Sequence, residues 1–208
     1  MAGSSWIRKM FEKGIELKKQ HGADAVCDFS LGNPDVPPPA KTRAVLEEIA
    51  AQAVKPLGLG YCPNAGIPAV REAIAGYLSG QQATAVPADH IVMTVGAAGA
   101  LVSFFRAVIE PGDEVILPLP AFVCYAPLAE LYGAVVIKVI TKEENAYKIT
   151  PQELRAAITP RTKLLILPYP NNPTGAILTR QELQALADVL RGTNVMVLSD
   201  EIYAELTY

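Results

Sequence analysis

The chain has 208 residues and a formal net charge of −3, with 50% hydrophobic and 19% charged residues. This balance is typical of a globular protein with a large buried sheet, either one domain or one domain with part of another. The negative net charge provides no overall positive field for nucleic acid, and no apolar run approaches the roughly 20 residues of a membrane span. We therefore expect neither nucleic acid nor a membrane as a partner, but small molecules or another subunit.

The cysteines and the N-terminus favour a reducing compartment. The three cysteines, Cys27, Cys62 and Cys124, lie at wide and unrelated spacings that predict neither a disulfide framework nor a metal site. Residues 1–11 lack the apolar core of a signal peptide. We expect a cytoplasmic protein without a bound metal.

The N-terminal third of the chain is predicted to contain three helices and one short strand. Helical spacing of apolar residues extends over 5–20, 42–54 and 67–78, and the last of these has Pro68 in its first turn. A short strand is predicted over 26–31. The loop over 32–39 is rich in turn-forming residues and suits a boundary between an N-terminal arm and the main domain.

From Ile91 onward, strand and helix patterns alternate. Strands are predicted over 91–95, 114–117, 135–140, 163–167 and 194–198, and helices over 98–109, 122–132, 152–158 and 180–190. Such alternation argues for a parallel sheet with crossover helices, so the predicted fold class is α/β.

Polar motifs follow two of the predicted strands. The run 171–175 (NNPTG) follows the apolar residues 164–167, and the run 199–203 (SDEIY) follows 195–198. Because open α/β sheets bind ligands beyond the carboxyl ends of their strands, we expect these groups at one edge of the sheet. The Asp200 carboxylate could keep a pyridine nitrogen protonated, and Asn172 with Tyr203 could stabilise a phenolate oxygen. A helix cap at Asp200 and an ordinary turn at 171–175 are the structural alternatives.

A turn of small residues precedes the helix predicted over 98–109. In the run 94–101 (TVGAAGAL) the exposed amides and the positive end of the helix dipole would suit a phosphate, although tight helix packing explains small residues equally well. The run lacks the GxGxxG spacing of a nicotinamide-binding fold and the Gly-Lys-Ser/Thr of a Walker loop. Phe122 could stack on a flat ring or pack in the core.

The sequence resembles the class I/II aminotransferases, the fold type I enzymes that use pyridoxal 5'-phosphate. The resemblance covers essentially the whole chain and rests on six runs in the family's order. These are 32–35 (GNPD), 61–73 (YCPNAGIPAVREA), 94–101 (TVGAAGAL), 111–115 (PGDEV), 171–175 (NNPTG) and 199–203 (SDEIY). It implies an enzyme that moves an amino group between an amino acid and a 2-oxo acid.

The resemblance also implies roles for particular residues. Gly96, Ala97 and Ala98 would offer amides to the cofactor phosphate, and Phe122 would stack on the pyridine. Asn172 and Tyr203 would bind the ring's phenolate oxygen, with Asn172 also bordering the substrate, and Asp200 would pair with the ring nitrogen. Tyr61 would reach the phosphate in the neighbouring subunit of a homodimer, and Gly32 would lie near the substrate carboxylate.

The chain departs from the family pattern at several positions. Ala97 and Ala98 replace the hydroxyl or lysine of many relatives, and Ala121 and Phe122 stand where relatives often have tyrosine and tryptophan. The Schiff-base lysine is expected beyond Tyr208, so we expect no catalytic residue in this chain and no activity from it alone. Residues 1–40 are expected to form the N-terminal arm and a small-domain segment, and residues 41–208 an incomplete cofactor-binding large domain. A lyase of the same fold and a non-catalytic binding or regulatory relative remain open alternatives.

Overall fold

The computed structural model describes residues 6–30, 32 and 36–207, with side chains from residue 9 onward. The backbone separates into two compact units, Met1–Tyr61 and Cys62–Tyr208. The division of the chain into an N-terminal arm with a small-domain segment over 1–40 and an incomplete large domain over 41–208 stays a prediction.

The first unit contains two helices, α1 (Trp6–His21) and α2 (Lys41–Ala53), which confirm the helices predicted over 5–20 and 42–54. Helix α1 ends just before Gly22, whose φ of 90° is a left-handed conformation that glycine adopts without a Cβ clash. The Asp28 carboxylate accepts a hydrogen bond from Lys18 Nζ at 2.8 Å, which ties the following segment back to α1.

The short strand predicted over 26–31 is not formed. Residues 26–30 have no strand assignment, and Leu31 lies outside the described residues. A strand needs a neighbour to take its backbone hydrogen bonds, and the described part of this unit contains only helices, turns and irregular segments. The β-branched and apolar composition of the segment therefore did not suffice to make it a strand.

The second unit is a parallel sheet flanked by helices. Its elements in chain order are α3 (Pro68–Gln82), α4 (Gly96–Val108), β1 (Glu114–Leu119), α5 (Tyr125–Leu131), β2 (Val135–Ile140), α6 (Pro151–Ala157), β3 (Thr162–Leu167), α7 (Arg180–Leu190) and β4 (Met196–Ser199). The strand order is β2-β1-β3-β4, and every neighbouring pair is parallel. The predicted α/β fold class is confirmed.

Each face of the sheet is covered by its own pair of helices. Alternate residues of β1 and β3, such as Val115 and Leu164, pack under α4 and α5 together with the fully buried Phe105. The intervening residues, such as Ile116 and Leu165, pack under α6 and α7. Because both faces are buried, the central strands are continuously apolar over 115–119 and 164–167, as the apolar runs in the sequence indicate.

A buried carboxylate joins the N-terminal ends of β1 and β3. Glu114 is only 2% exposed, and it accepts hydrogen bonds from the Thr159 hydroxyl and from the Arg161 guanidinium at 2.7 Å. These donors, the threonine first and the arginine second, hold the pKa of Glu114 below its ordinary value. The carboxylate therefore stays ionised in the fold at neutral pH.

The strand predicted over 91–95 is also absent, and helix α5 begins at Tyr125, three residues later than predicted. Residues 91–94 have no regular secondary structure, Met93 N–H is bonded to the Ala65 carbonyl, which belongs to a loop, and Val95 is 97% exposed. No strand in the described ranges lies beside this segment to complete a ladder. None of the described helices is long and apolar enough to cross a membrane.

Candidate cofactor site

The loops that follow β1, β3 and β4 surround a cavity of about 150 Å³ together with the start of α4. The residues that line it are Ala97, Ala98, Leu101, Phe122, Tyr125, Pro170, Asn172, Asp200, Ile202 and Tyr203. The cavity thus lies at the carboxyl edge of the parallel sheet, where the sequence predicted a ligand site. The structure brings together six of the residues that the sequence analysis assigned to a cofactor: Ala97, Ala98, Phe122, Asn172, Asp200 and Tyr203.

Asp200 lies directly after the last residue of β4. Its N–H donates to the Leu167 carbonyl at 3.1 Å, which continues the pairing of β4 with β3 and fixes the backbone at this point. The carboxylate Oδ1 accepts the Ile202 N–H at 3.1 Å in a local turn. The helix cap that was the structural alternative is not formed, because the short helix that follows spans only Ala204–Leu206 and Tyr203 precedes it. Its neighbour Glu201 accepts a bond from Ser199 Oγ instead, and only Asp200 of the two lines the cavity.

The second oxygen of the Asp200 carboxylate is bound by a buried phenol. Tyr125 Oη donates to Asp200 Oδ2 at 2.7 Å, and Tyr125 is only 3% exposed. Burial first, and then this hydrogen bond, raise the pKa of the Tyr125 phenol well above its ordinary value. The ring of Phe122 meets the Tyr125 ring edge to face, with the centroids 5.7 Å apart.

Tyr125 was not among the predicted site residues, because a tyrosine in an apolar helical pattern resembles an ordinary core residue. The signal that could have found it is its hydroxyl, since a buried phenol usually has a hydrogen-bond partner. That partner is 75 positions away in the sequence, which no local pattern reveals.

An amide and a phenol meet on another side of the cavity. Asn172 Nδ2 donates to Tyr203 Oη at 3.3 Å, a long hydrogen bond that leaves both groups able to bind a further oxygen. Asn172 is half-buried and Tyr203 is 37% exposed. The motifs NNPTG and SDEIY therefore each place one polar side chain on the same side of the cavity. This confirms the prediction that the polar groups after these two strands lie together at one edge of the sheet.

Asn171 fixes the loop that presents Asn172. It is 5% exposed, and its Nδ2 donates to the Pro120 carbonyl at 3.2 Å. Its Oδ1 accepts from the Thr174 N–H at 3.1 Å and from the Thr174 hydroxyl at 2.9 Å. This side chain, which the sequence analysis did not single out, joins the loop after β1 to the turn after β3.

The first turn of α4 has the properties of an anion site. Gly96 has a φ of 70°, and a Cβ placed there would meet nothing within 4 Å, so glycine is required by the backbone conformation alone. Among the described residues no side chain caps this helix, and the first N–H groups of a helix have no partner within it. The amides at Ala97 and Ala98 are thus available to a negatively charged group.

Two larger hollows share residues with the central cavity. One of about 460 Å³ shares Pro170, Asn172 and Tyr203, and another of about 250 Å³ shares Ala97, Leu101 and Asp200. Both hollows therefore border the central cavity.

The remaining predicted residues belong to the first unit. Tyr61 is fully exposed, and Gly32 has open space around it, while residues 33–35 of its motif lie outside the described residues. Their roles stay predictions. No lysine lines the central cavity, and in the part of the chain that the structure describes no three histidine, cysteine or acidic side chains cluster as metal ligands.

A parallel sheet covered on both faces, with a cavity at its carboxyl edge that a carboxylate, an amide and two phenols border, has the architecture in which α/β proteins bind ligands. Residues 24–208 match the family model described as aminotransferase class I and II. The chain therefore belongs to the class I and II aminotransferase family, as the resemblance in its motifs predicted.

Curated relatives agree with this family. The chain is 38% identical over 205 residues to a probable N-acetyl-LL-diaminopimelate aminotransferase of Bacillus subtilis, covering 98% of this chain and 49% of the relative. It is 39% identical over 200 residues to an aspartate aminotransferase of Geobacillus stearothermophilus, covering 95% of this chain and 49% of that protein. The chain spans about half the length of the curated relatives it matches.

Solved structures give the same result for the fold. An aspartate aminotransferase from Thermus thermophilus with maleate superposes with a TM-score of 0.83 at 34% identity, over 95% of this chain and 50% of that one. An aminotransferase from Eubacterium rectale superposes with a TM-score of 0.88 at 30% identity, over 96% of this chain and 52% of that one. The second unit thus has the fold type I architecture, covering part of the large domain.

Proposed function

We propose that the whole protein is a pyridoxal 5'-phosphate-dependent aminotransferase that moves an amino group between an amino acid and a 2-oxo acid. In this proposal the chain supplies the residues that hold the cofactor. The observation that supports it most is the arrangement of three kinds of group around one cavity: the Asp200 carboxylate, the Asn172–Tyr203 pair and the first turn of α4.

The chemistry of these groups fits the cofactor. A carboxylate suits a protonated ring nitrogen, an amide and a phenol suit the ring oxygen, and the free amides of a helix start suit a phosphate. Phe122 lines the same cavity and is 37% exposed, so its ring is accessible to a flat ligand. When bound, the cofactor supplies an electron-withdrawing ring that stabilises negative charge at the substrate's α-carbon.

Asp200 would act by electrostatics. Its carboxylate would favour the protonated form of the ring nitrogen, because opposite charges at short distance stabilise each other in a partly buried site. Asn172 and Tyr203 would both donate hydrogen bonds to the ring oxygen, which stabilises that oxygen as an anion. None of these three side chains would transfer the substrate proton.

The phosphate would be bound by backbone amides rather than by side chains. Ala97 and Ala98 have no polar side-chain atoms, so the amides of the α4 first turn and the helix dipole would provide the attraction. Tyr61 of a second subunit would add a hydroxyl in a homodimer, and Gly32 would border the substrate carboxylate; both roles follow from the family resemblance. A cytoplasmic location likewise stays a prediction.

The 208 residues by themselves are proposed to bind the cofactor without transaminating. Proton transfer at the α-carbon requires a base, for which this family uses a lysine, and no described lysine lines the cavity. Incubating the chain with cofactor, an amino acid and a 2-oxo acid should yield no new keto acid. Keto-acid formation by the isolated chain would contradict this part of the proposal. For the whole protein, product analysis separates a transaminase from a lyase.

Binding of pyridoxamine 5'-phosphate tests the cofactor assignment directly, because this amine form needs no covalent bond to the protein. Calorimetric titration should show saturable binding to the chain, with Asp200→Asn and Asn172→Ala each weakening it about tenfold or more. Asn194→Ala is the matched control, since Asn194 is exposed and precedes β4 at the opposite end of the strand. Absence of binding, or equal losses in all three variants, would refute the assignment.

A further inference from the structure

We propose that Tyr125 is a positioning residue for the cofactor, whose hydroxyl orients the Asp200 carboxylate toward the ring nitrogen while its ring sets the position of Phe122. This inference deepens the proposed function and rests on it. One buried side chain would then align two cofactor contacts, that of Asp200 with the ring nitrogen and that of Phe122 with the face of the ring.

The carboxylate of Asp200 is held at both oxygens. Tyr125 Oη binds Oδ2 at 2.7 Å, and the Ile202 N–H binds Oδ1 at 3.1 Å. Two donors on different oxygens fix the plane of the carboxylate, whereas one donor would leave it free to rotate. A carboxylate has about four lone-pair positions, so two remain for a ligand in the cavity that Asp200 lines.

The donor itself is held rigidly. Tyr125 is the first residue of α5, 3% exposed, and it packs in the core with Leu101 of α4 and Ala129 of α5. A ring fixed in this way has few alternative positions for its hydroxyl. Burial and the nearby carboxylate raise the pKa of the phenol, so it remains a protonated donor throughout the neutral range.

The same ring contacts the aromatic side chain proposed to lie on the cofactor face. Phe122 meets Tyr125 with an interplanar angle of 83°, an edge-to-face arrangement that aromatic pairs favour. Phe122 lies in the loop between β1 and α5 and is 37% exposed, so this contact is one of the constraints on its ring. Tyr125 thereby links the ring-face contact to the ring-nitrogen contact.

The test separates the hydroxyl from the ring. Tyr125→Phe removes only the donor to Asp200, and Tyr125→Leu removes the aromatic contact with Phe122 as well. Tyr169→Phe is a matched control, because Tyr169 is 8% exposed and its hydroxyl bonds the backbone of Ile149 and Tyr147 instead. Two ligands are titrated into each variant: pyridoxamine 5'-phosphate and its analogue with C–H in place of the ring nitrogen.

Tyr125→Phe should weaken binding of pyridoxamine 5'-phosphate about tenfold and change the affinity for the C–H analogue less than about twofold. Tyr125→Leu should weaken both ligands, and Tyr169→Phe neither. Equal weakening of both ligands by Tyr125→Phe would show a merely structural role and overturn the inference. An unchanged affinity of Tyr125→Phe for pyridoxamine 5'-phosphate would overturn it as well.

A measurement on the ligand-free chain keeps this inference distinct from the proposed function. A short hydrogen bond from a buried phenol to a carboxylate should give a slowly exchanging, downfield hydroxyl proton in the NMR spectrum. This signal should vanish in Tyr125→Phe, shift in Asp200→Asn and persist in Tyr169→Phe. If the wild-type chain binds neither ligand, the proposed function fails. If the hydroxyl signal is absent or insensitive to Asp200→Asn, the orienting contact fails.

Discussion

Replacing Asn171 with alanine should destabilise the chain and also loosen its proposed cofactor site. Asn171 is 5% exposed and makes three hydrogen bonds, one to the Pro120 carbonyl and two from Thr174. These bonds hold the loop after β1 against the turn that presents Asn172. Asn171→Ala removes all three without adding a group that could clash.

The magnitude follows from the number of bonds and the exposure of their partners. A net contribution of about 1 kcal/mol per hydrogen bond gives an upper figure of about 3 kcal/mol. Pro120 is exposed and Thr174 is half-buried, so water can replace part of what is lost. We expect a loss of about 2–3 kcal/mol in the free energy of unfolding, with pyridoxamine 5'-phosphate bound about threefold to tenfold more weakly.

Urea denaturation followed by circular dichroism measures the first quantity, and calorimetric titration measures the second. Asn194→Ala again serves as the control, because it removes the same amide from an exposed position. A loss in Asn171→Ala below about 0.5 kcal/mol, within the usual range for surface substitutions, would refute the reasoning. So would a full loss of stability with no change in ligand affinity, since the loop would then not position Asn172.

Three further predictions concern the second unit. Because its donors lower the pKa of Glu114, the carboxylate stabilises the fold above the unfolded-state pKa, and this stabilisation is lost as pH falls through the lowered value. In Glu114→Gln the free energy of unfolding should therefore fall less steeply as the pH is lowered in the acid range. An unchanged pH dependence would contradict this. Phe105 is fully buried, so Phe105→Ala should lower the free energy of unfolding, measured by urea denaturation, by about 3–5 kcal/mol. Phe104 is half-buried, so Phe104→Ala should lower it by less than half as much, and equal losses would show that the core is misassigned. Gly96→Ala should lower the free energy of unfolding by about 1–2 kcal/mol, because Gly96 has a positive φ. Gly76→Ala inside α3 should leave it unchanged or raise it, and a larger loss for Gly76→Ala than for Gly96→Ala would contradict this expectation.

The sequence predicted the sheet and its covering helices well where periodic patterns were long. The strand predicted over 135–140 and the helix predicted over 180–190 agree with β2 and α7 at both ends. Thr179 precedes helix α7 and caps it, because its hydroxyl accepts the Glu182 N–H in a capping box, so the start of this helix has a local cause. Local signals of this kind are visible in a single sequence.

Two strand predictions were wrong because a strand depends on its neighbours. The segments 26–31 and 91–95 have strand-like composition, yet the described residues provide neither with a partner strand. The composition of a segment indicates only whether its side chains would fit a pleated sheet. Whether a ladder forms is decided by residues distant in the sequence.

The same limit applies to the site. Asp200, Asn172 and Tyr203 were found because polar motifs at the ends of buried strands are visible locally. Tyr125 and Asn171 were missed because their hydrogen-bond partners are 75 and 51 positions away in the sequence, and both side chains are buried. Residues that line the cavity could thus be predicted more readily than the residues to which they are bonded.

The protonation state of the bound ring nitrogen reports directly on the proposed pairing of Asp200 with this nitrogen. Pyridoxamine 5'-phosphate labelled with ¹⁵N in the ring, bound to the 208-residue chain, can be followed by NMR as the pH is raised. We expect a pyridinium signal that persists at pH values where the free ligand has lost its ring proton, and its loss in Asp200→Asn. A bound ring nitrogen that titrates as in the free ligand, with or without Asp200, would contradict the account.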